Sequence, residues 1–367
     1  MIKKIYILFI IAMLTNSVFG QFVGKDNLSV ALFYMQKSEL DSAKKYIDLS
    51  IQEDTLASSP KKLYYRGFIY KELYKTIEKD NKTSTFRLVA IESFTKLLTL
   101  NVDTNEFSES GVKILNYLAT TLYNDAARLL DPDNYQTAIV NYENYRNTMF
   151  VVNPNVDLRT QDAKFKLALA SMLNRPAETE KGLDSAQANQ IEKLYLEVIA
   201  IDPNNPGANY NLAILYYNEA ADIINNMDYD MDIEKLNEVQ DHCIEIFLQA
   251  LPYMKKSYEL NYKRKETLIG LSNIYYGLND MEKSDSYKAE LEYLEAGDRY
   301  IEIKIKIKEL EDKGLDSTKL NIELKHLLIN FIKKLEVNGK TNSDEYQKYK
   351  TELQNLLNKY KDLEKEK

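Results

Sequence analysis

Few residues in this sequence belong to the types that acid–base or metal chemistry needs. There are two histidines, His242 and His326, and a single cysteine, Cys243. Glu238, His242 and Glu245 fall at positions i, i+4 and i+7, which would place an imidazole and two carboxylates on one face of a helix, where they could hold a metal ion. Such a triple often arises by chance on a charged helix. We therefore predict no metal site.

The sequence also lacks the short motifs of catalysis and phosphate binding. It contains no GxGxxG, P-loop, HExxH or GxSxG. Cys243 has no histidine–carboxylate or histidine–asparagine partner pattern, so we predict a buried small side chain rather than a nucleophile. His326 interrupts an amphipathic stripe and is predicted to lie at the surface. These observations favour a non-enzymatic protein that needs no cofactor.

Composition points to long helices and against a nucleic-acid partner. The 367 residues include 11 glycines and 7 prolines, too few for a protein with many turns. The 48 basic and 56 acidic residues give a formal charge of −8. Proteins that bind nucleic acid draw most of their affinity from lysines and arginines that neutralise phosphates. We therefore expect no nucleic-acid partner.

The first twenty residues have the pattern of a secretory signal peptide. Lys3 and Lys4 precede the apolar run Ile5–Leu14, and small residues follow near Gly20. The apolar run is far shorter than the roughly 20 residues that a membrane-spanning helix needs. We predict cleavage between Gly20 and Gln21. The mature protein is then expected to be soluble, in the periplasm or outside the cell, and without stable membrane insertion.

The segment Ile191–Ala220 shows how the rest of the chain is built. Its apolar residues recur at steps of three and four up to Ile201, which predicts a helix. Asp202–Pro206 cannot continue that helix, because each proline lacks an N–H group and clashes with the preceding turn. A second helix follows, with Ala213 and Tyr216 on its packing side. This helix–turn–helix segment resembles the tetratricopeptide repeat.

The resemblance covers roughly residues 25–296 and implies a repeat domain over residues 21–296 with about six antiparallel helix pairs. It implies an all-α protein in which the pairs stack into a right-handed superhelical solenoid with a groove. The fifth pair is expanded by roughly 25 residues between Tyr216 and Ala250, since an unmodified repeat is much shorter. Family positions that need a small residue for close packing fall on Ala31, Gly67, Ala119, Ala168, Ala213 and Ser272.

Residues 297–367 lack the repeat pattern and form a separate C-terminal helical region. Ile301–Lys308 alternates with period two, which indicates a strand by rule, but helix-forming residues flank it and we predict a helix. Apolar stripes over Leu320–Leu335 and Tyr346–Leu363 follow. They predict an antiparallel, coiled-coil-like hairpin. The alternative is self-association of two chains through the same heptad seam.

Tyrosine is frequent, with 28 residues against no tryptophan. Three tyrosine doublets lie in the first helices of repeat pairs. One member of each is expected in the core, and the other is a candidate contact in the groove, because tyrosine combines an apolar ring with a hydroxyl group. The candidate residues are Tyr64, Tyr65, Tyr216, Tyr217, Tyr275 and Tyr276.

The family resemblance implies binding of partner proteins without catalysis. Our first hypothesis is an exported scaffold that binds proteins through the repeat groove. The second is a glycan-binding protein of the cell surface or periplasm, because some outer-membrane glycan-binding proteins use similar helical repeats. The absence of tryptophan, the residue most favoured for stacking on sugars, weighs against it. An enzyme has no positive evidence in the sequence.

Overall fold

The computed structural model describes residues 26–53, 59–100, 106–174, 185–228 and 230–365, without the side chains of residues 106 and 360–365. The predicted signal peptide, residues 1–20, lies outside this part of the chain. Fourteen helices and no strand occur among the described residues. These helices form two units, of which the first ends at Ile201 and the second begins at Asp202.

The first unit contains four helix pairs. The helices are α1 (Asn27–Gln36), α2 (Leu40–Gln52), α3 (Pro60–Ile77), α4 (Thr85–Thr99), α5 (Glu106–Arg128), α6 (Tyr135–Val152), α7 (Arg159–Leu173) and α8 (Ser185–Ile201). Within each pair the two helices pack against each other, and α2 also packs on α3 and α4 on α5.

The second unit contains two further pairs and two C-terminal helices. The helices are α9 (Pro206–Asn225), α10 (Ile233–Glu259), α11 (Arg264–Gly277), α12 (Met281–Asp312), α13 (Thr318–Val337) and α14 (Asp344–Lys365). Helix α9 packs on α10, α10 on α11, and each later helix on the next. The all-α class is thus confirmed, and the helices form pairs with the fold that the resemblance to the tetratricopeptide repeat implied.

A serine and an asparagine cap the N-termini of α3 and α9. Ser59 and Asn205 each accept a hydrogen bond from a backbone N–H in the first helical turn, and each is followed by a proline at the first helical position. Proline fits there because the N–H it lacks would have no partner within the helix. The Asp202–Pro206 turn therefore ends α8 and begins α9, as predicted.

Small residues let helices approach closely at most of the predicted positions. A Cβ atom placed on Gly67 would lie 2.6 Å from the Phe94 ring, so only glycine leaves room for that ring. Ala213 is fully buried on α9. Ser272 is buried, and its hydroxyl donates a 3.1 Å hydrogen bond to the Ser284 carbonyl across the last pair. Ala31 and Ala119 are likewise fully buried.

Ala168 departs from this pattern because it is exposed on α7. The buried small residues of that helix are Ala163 and Ala170, which are seven residues, or about two turns, apart. Ala168 lies two residues before Ala170 and hence about 200° around the helix. The expected small packing position of the fourth pair is therefore occupied by Ala170.

The expanded fifth pair consists of two long helices. Helix α9 has 20 residues and α10 has 27, with Pro252 inside α10. Between them the described residues 226–228 and 230–232 lie outside any helix. The insertion inferred from the sequence therefore lengthens both helices at their adjoining ends.

The C-terminal region is continuous with the last repeat pair. Helix α12 runs through Gly297, so the predicted boundary between residues 296 and 297 is not a helix boundary. Ile301–Lys308 lies in this helix, as predicted, with Ile303 and Ile307 buried. Helices α13 and α14 pack on each other, and with α12 they share one apolar cluster. The heptad seam is thus used within the chain.

We predict that Ala213→Arg destabilises the second unit by several kcal/mol, because it overpacks a closed contact and buries an unpaired charge. Ala168→Arg is the matched control, since the same substitution at an exposed position should leave the thermal melt unchanged. Melting followed by circular dichroism tests both variants. Equal melting temperatures for the two would contradict the assigned packing of Ala213.

Candidate functional site

The tyrosine doublets of the second unit divide into buried and accessible members. Tyr216 and Tyr275 are buried, and the Tyr275 ring stacks on Tyr287 at a centroid distance of 5.7 Å. Tyr217 is half-buried, and Tyr276 is 61% exposed. The expectation that one member of each doublet lies in the core therefore holds for these two doublets.

Tyr276 is part of an accessible face on two neighbouring first helices, α9 and α11. On α11, the exposed Ile269 and Tyr276 are seven residues apart and so lie on the same side, with Asn273 between them. The Asn273 amide donates a 3.2 Å hydrogen bond to the Tyr217 hydroxyl on α9. We name these four residues the aromatic face. It offers an apolar ring, a branched aliphatic side chain and an amide.

The doublet of the first unit has a different environment. Tyr64 and Tyr65 are both half-buried on α3 and contact Phe107 of α5, at centroid distances of 5.0 and 6.2 Å. Both rings therefore contribute to packing between first helices. Tyr117 on α5, which the sequence did not single out, is the more exposed tyrosine there.

Successive helix pairs are joined by clusters of a tyrosine, a cation and a carboxylate, which we name junction clusters. In the first, Asp48 on α2 accepts hydrogen bonds from the Arg66 Nε at 3.0 Å and the Tyr70 hydroxyl at 2.7 Å, both on α3. The Arg66 guanidinium also lies over the Tyr70 ring. One carboxylate of the first pair thus binds two side chains of the second.

The second junction cluster is the most buried. Arg87 on α4 is 1% exposed, and its Nη1 lies 2.6 Å from a carboxylate oxygen of the buried Asp125 on α5. The other oxygen of Asp125 is 3.0 Å from the Lys82 Nζ. Arg87 also lies over the Tyr74 ring of α3. Two cations therefore compensate one buried carboxylate between the second and third pairs.

The same combination recurs at three other junctions. Asp162 on α7 accepts the Tyr142 hydroxyl of α6 at 2.7 Å and pairs with the Arg146 Nε at 3.0 Å. Glu290 on α12 accepts the Tyr258 hydroxyl of α10 at 2.9 Å and pairs with Arg264 at the start of α11. Between α12 and α14, Glu352 accepts the Tyr300 hydroxyl at 2.5 Å and pairs with the Lys304 Nζ at 3.0 Å.

Burial and these hydrogen bonds make ionisation of the cluster tyrosines unfavourable. Burial raises the pKa of Tyr70, Tyr142 and Tyr300, and the carboxylate that accepts each hydroxyl raises it further. The same two causes raise the pKa of Tyr293, whose hydroxyl donates to Glu345, to about 12. These tyrosines are hence neutral donors throughout the physiological range.

The residues with potential for chemistry are not brought together. The Nδ1 of His242 is 4.0 Å from a Glu245 carboxylate oxygen, and both side chains are exposed. Cys243 is buried, and burial raises the pKa of its thiol. No group of three or more histidine, cysteine or acidic residues is placed to hold a metal ion within the described residues.

A small cavity of about 140 Å³ lies between α4 and α6, and its lining contains no titratable side chain. The lining residues are Leu88, Ile91, Thr95, Asn144, Asn147, Thr148 and Val151. Its volume is well below the roughly 300 Å³ at which pockets for small-molecule ligands begin.

Among the described residues, no helix is long and apolar enough to cross a membrane.

Comparison with known proteins adds no activity. Neither protein-family models nor curated proteins match the chain. Solved structures with a similar course include pilF of Pseudomonas aeruginosa, at 13% identity, 73% coverage of this chain and 90% of that chain, with a TM-score of 0.26. PilW, described as a type IV pilus biogenesis factor, is 15% identical and has a TM-score of 0.26, with 72% of this chain and 90% of that chain covered. Human IFIT1 with m7Gppp-AAAA is 12% identical and has a TM-score of 0.32, with 89% of this chain and 80% of that chain covered. Similarity at this level carries no argument about function.

Two features of the site escaped sequence reasoning. Ile269 and Asn273 were not recognised as part of a surface, because an exposed apolar residue on a helix looks like a core residue in sequence. The junction clusters left a partial signal: Arg66–Tyr70, Tyr142–Arg146 and Tyr300–Lys304 are all spaced i, i+4. Their carboxylate partners lie 16 to 52 residues away and follow no fixed spacing.

We predict that Asp125→Ala costs about 3–5 kcal/mol of stability, because it leaves the cation of Arg87 buried without its partner. Glu109→Ala, which removes an exposed carboxylate paired with Lys113, is the control and should leave the free energy of unfolding unchanged. Urea unfolding measures both variants. A cost for Asp125→Ala no larger than that of the control would contradict a stabilising role of this junction cluster.

Proposed function

We propose that this protein is a non-enzymatic scaffold that binds segments of partner proteins through the aromatic face of α9 and α11. The observation that supports the proposal most strongly is the exposure of Tyr276, 61%, beside the exposed Ile269 on the same side of α11. An aromatic ring that is this accessible on a packed helix adds little to the buried core. Tyrosine is enriched among the residues that contribute most to binding energy at protein interfaces.

The chemistry of the aromatic face suits a peptide segment. Ile269 and Tyr276 supply apolar area on either side of Asn273, whose amide can exchange hydrogen bonds with a peptide backbone. Tyr217 extends the surface onto the neighbouring first helix α9. A surface continued across two repeat pairs recognises an extended partner, as expected for a stacked array of helices.

Export is the second part of the proposal, and it rests on the sequence of residues 1–20. A basic start, a short apolar run and small residues before Gln21 are typical of a cleaved secretory signal. The scaffold would then act in the periplasm or outside the cell. The mass of the N-terminal peptide in the exported fraction tests this part, and retention of Met1 would contradict it.

The aromatic face is tested by placing a photo-crosslinking amino acid at position 276 in cells that produce the full chain. The same amino acid at position 140 is the control, because Val140 is similarly exposed but lies on a second helix, α6. We expect a discrete crosslinked protein at position 276 that is absent at position 140. That protein should bind Tyr276→Ala about 5–30-fold more weakly than the parent, equivalent to roughly 1–2 kcal/mol.

Two results would contradict the proposal. One is capture of the same products at positions 276 and 140, which would show unspecific contact. The other is unchanged affinity of Tyr276→Ala for the captured protein.

A further inference from the structure

The expansion of the fifth helix pair concentrates the negative charge of the whole chain. Residues 218–249 contain nine acidic residues and a single lysine, so this segment has a net charge of −8, equal to that of the entire chain. The acidic residues are Glu219, Asp222, Asp228, Asp230, Asp232, Glu234, Glu238, Asp241 and Glu245. The remainder of the chain is therefore balanced, and the imbalance belongs to one hairpin.

Four of these residues form a single stripe on α10. Glu234, Glu238, Asp241 and Glu245 follow each other at steps of four, three and four residues, and all are exposed. The stripe extends over 12 residues, with a rise of about 16 Å along the helix. Leu248, 53% exposed, continues the same side one turn further on. We name these five residues the acidic face.

The acidic face is not needed for packing within the chain. The buried residues of this part of α10, which include Cys243, Ile246 and Phe247, lie on its other side and face inwards. The exposed Leu248 has no such role. An exposed leucine at the end of a row of carboxylates gives this helix side a mixed character, with an ionic part and an apolar end.

No lysine or arginine compensates Glu234, Glu238 or Asp241 among the described residues, and Glu245 has only the exposed His242 nearby. Other exposed helix faces of this protein place Lys96 opposite Glu92 and Lys306 opposite Glu302, each pair at 2.7 Å. Like charges three or four residues apart repel each other and weaken a helix. The acidic face is thus a local cost to stability that a bound cationic partner would relieve.

We propose that the acidic face is a second docking surface, which binds a cationic helix of a partner protein. Charge complementarity assigns the occupant: lysines or arginines at i, i+4, i+7 and i+11 would each meet one carboxylate, and an apolar residue one turn further would cover Leu248. This surface lies on a second helix and is independent of the aromatic face. A single metal ion is a poor occupant, because carboxylates spread over about 16 Å cannot converge on it.

The test uses the full-length protein and two synthetic alanine-based helical peptides of identical composition. One peptide has four lysines at i, i+4, i+7 and i+11 followed by a leucine at i+14, and the other distributes the same residues around the helix. The variant Glu234→Gln/Glu238→Gln/Asp241→Asn/Glu245→Gln removes the stripe. The variant Glu292→Gln/Glu295→Gln/Glu309→Gln/Asp312→Asn is the control, since it removes the same charge from exposed positions of α12.

In calorimetric titration we expect the striped peptide to bind the parent at least tenfold more tightly than the distributed one. The stripe variant should lose that advantage, and the α12 control should keep it within twofold. Leu248→Ser should weaken binding about threefold. The stripe variant should remain folded, because all four substitutions lie at exposed positions.

Three results would overturn the proposal. Equal binding of both peptides to the parent would mean unspecific attraction by net charge. Equal losses in the stripe variant and the α12 control would show that the position of the carboxylates does not matter. A rise in melting temperature with calcium chloride alone, lost in the stripe variant, would identify a metal site instead of a protein-docking surface.

Discussion

The constraint on which this structure depends is that no helix pair can bury its apolar face alone. Stability in a stacked array comes from contacts between neighbours, so each junction must be specific as well as apolar. The junction clusters meet that need, because a carboxylate held by a cation and a tyrosine hydroxyl fixes one helix against the next. At Asp125 the carboxylate is buried between Arg87 and Lys82. If Arg87 or Asp125 is lost, the other is left as a desolvated charge without its main partner. Packing of α4 against a helix other than α5 would separate the same two charges.

The residues that hold the helix pairs together differ from those that are accessible to partner proteins. Buried tyrosines such as Tyr142 use both ring and hydroxyl within a junction, whereas Tyr276 presents its ring to solvent. The acidic face of α10 lies outside both groups, since its carboxylates have no partner in any junction. A fold held together between adjacent pairs can vary the exposed sides of its helices freely. The aromatic face and the acidic face are two such sides, with different chemistry.

The sequence predicted the helix pairs because their cause is local. The Asp202–Pro206 turn, the small residue at Ala213 and the three-and-four spacing of apolar residues all act within one or two turns. Ala168 was misplaced because two alanines nearby compete for one packing position, and only the neighbouring helix decides between them. The stripe over Ile301–Lys308 was ambiguous for a similar reason, and packing of Ile303 and Ile307 on the C-terminal helices accounts for the helix. The carboxylates of the junction clusters, and the contact of Tyr217 with Asn273, join residues distant in sequence, which no spacing reveals.

The most direct test of the junction clusters is an alkaline titration that records tyrosinate absorbance and helicity together. Tyr70, Tyr142 and Tyr300 have a raised pKa in the folded protein, so folding favours their neutral form. Their stabilising contribution is complete below the ordinary tyrosine pKa of about 10 and is lost as the pH rises above it. We predict that these three tyrosines stay protonated while the helices persist, and that they ionise only as helicity falls, well above pH 10. Ionisation of all 28 tyrosines in one step near pH 10, with helicity unchanged, would contradict the account.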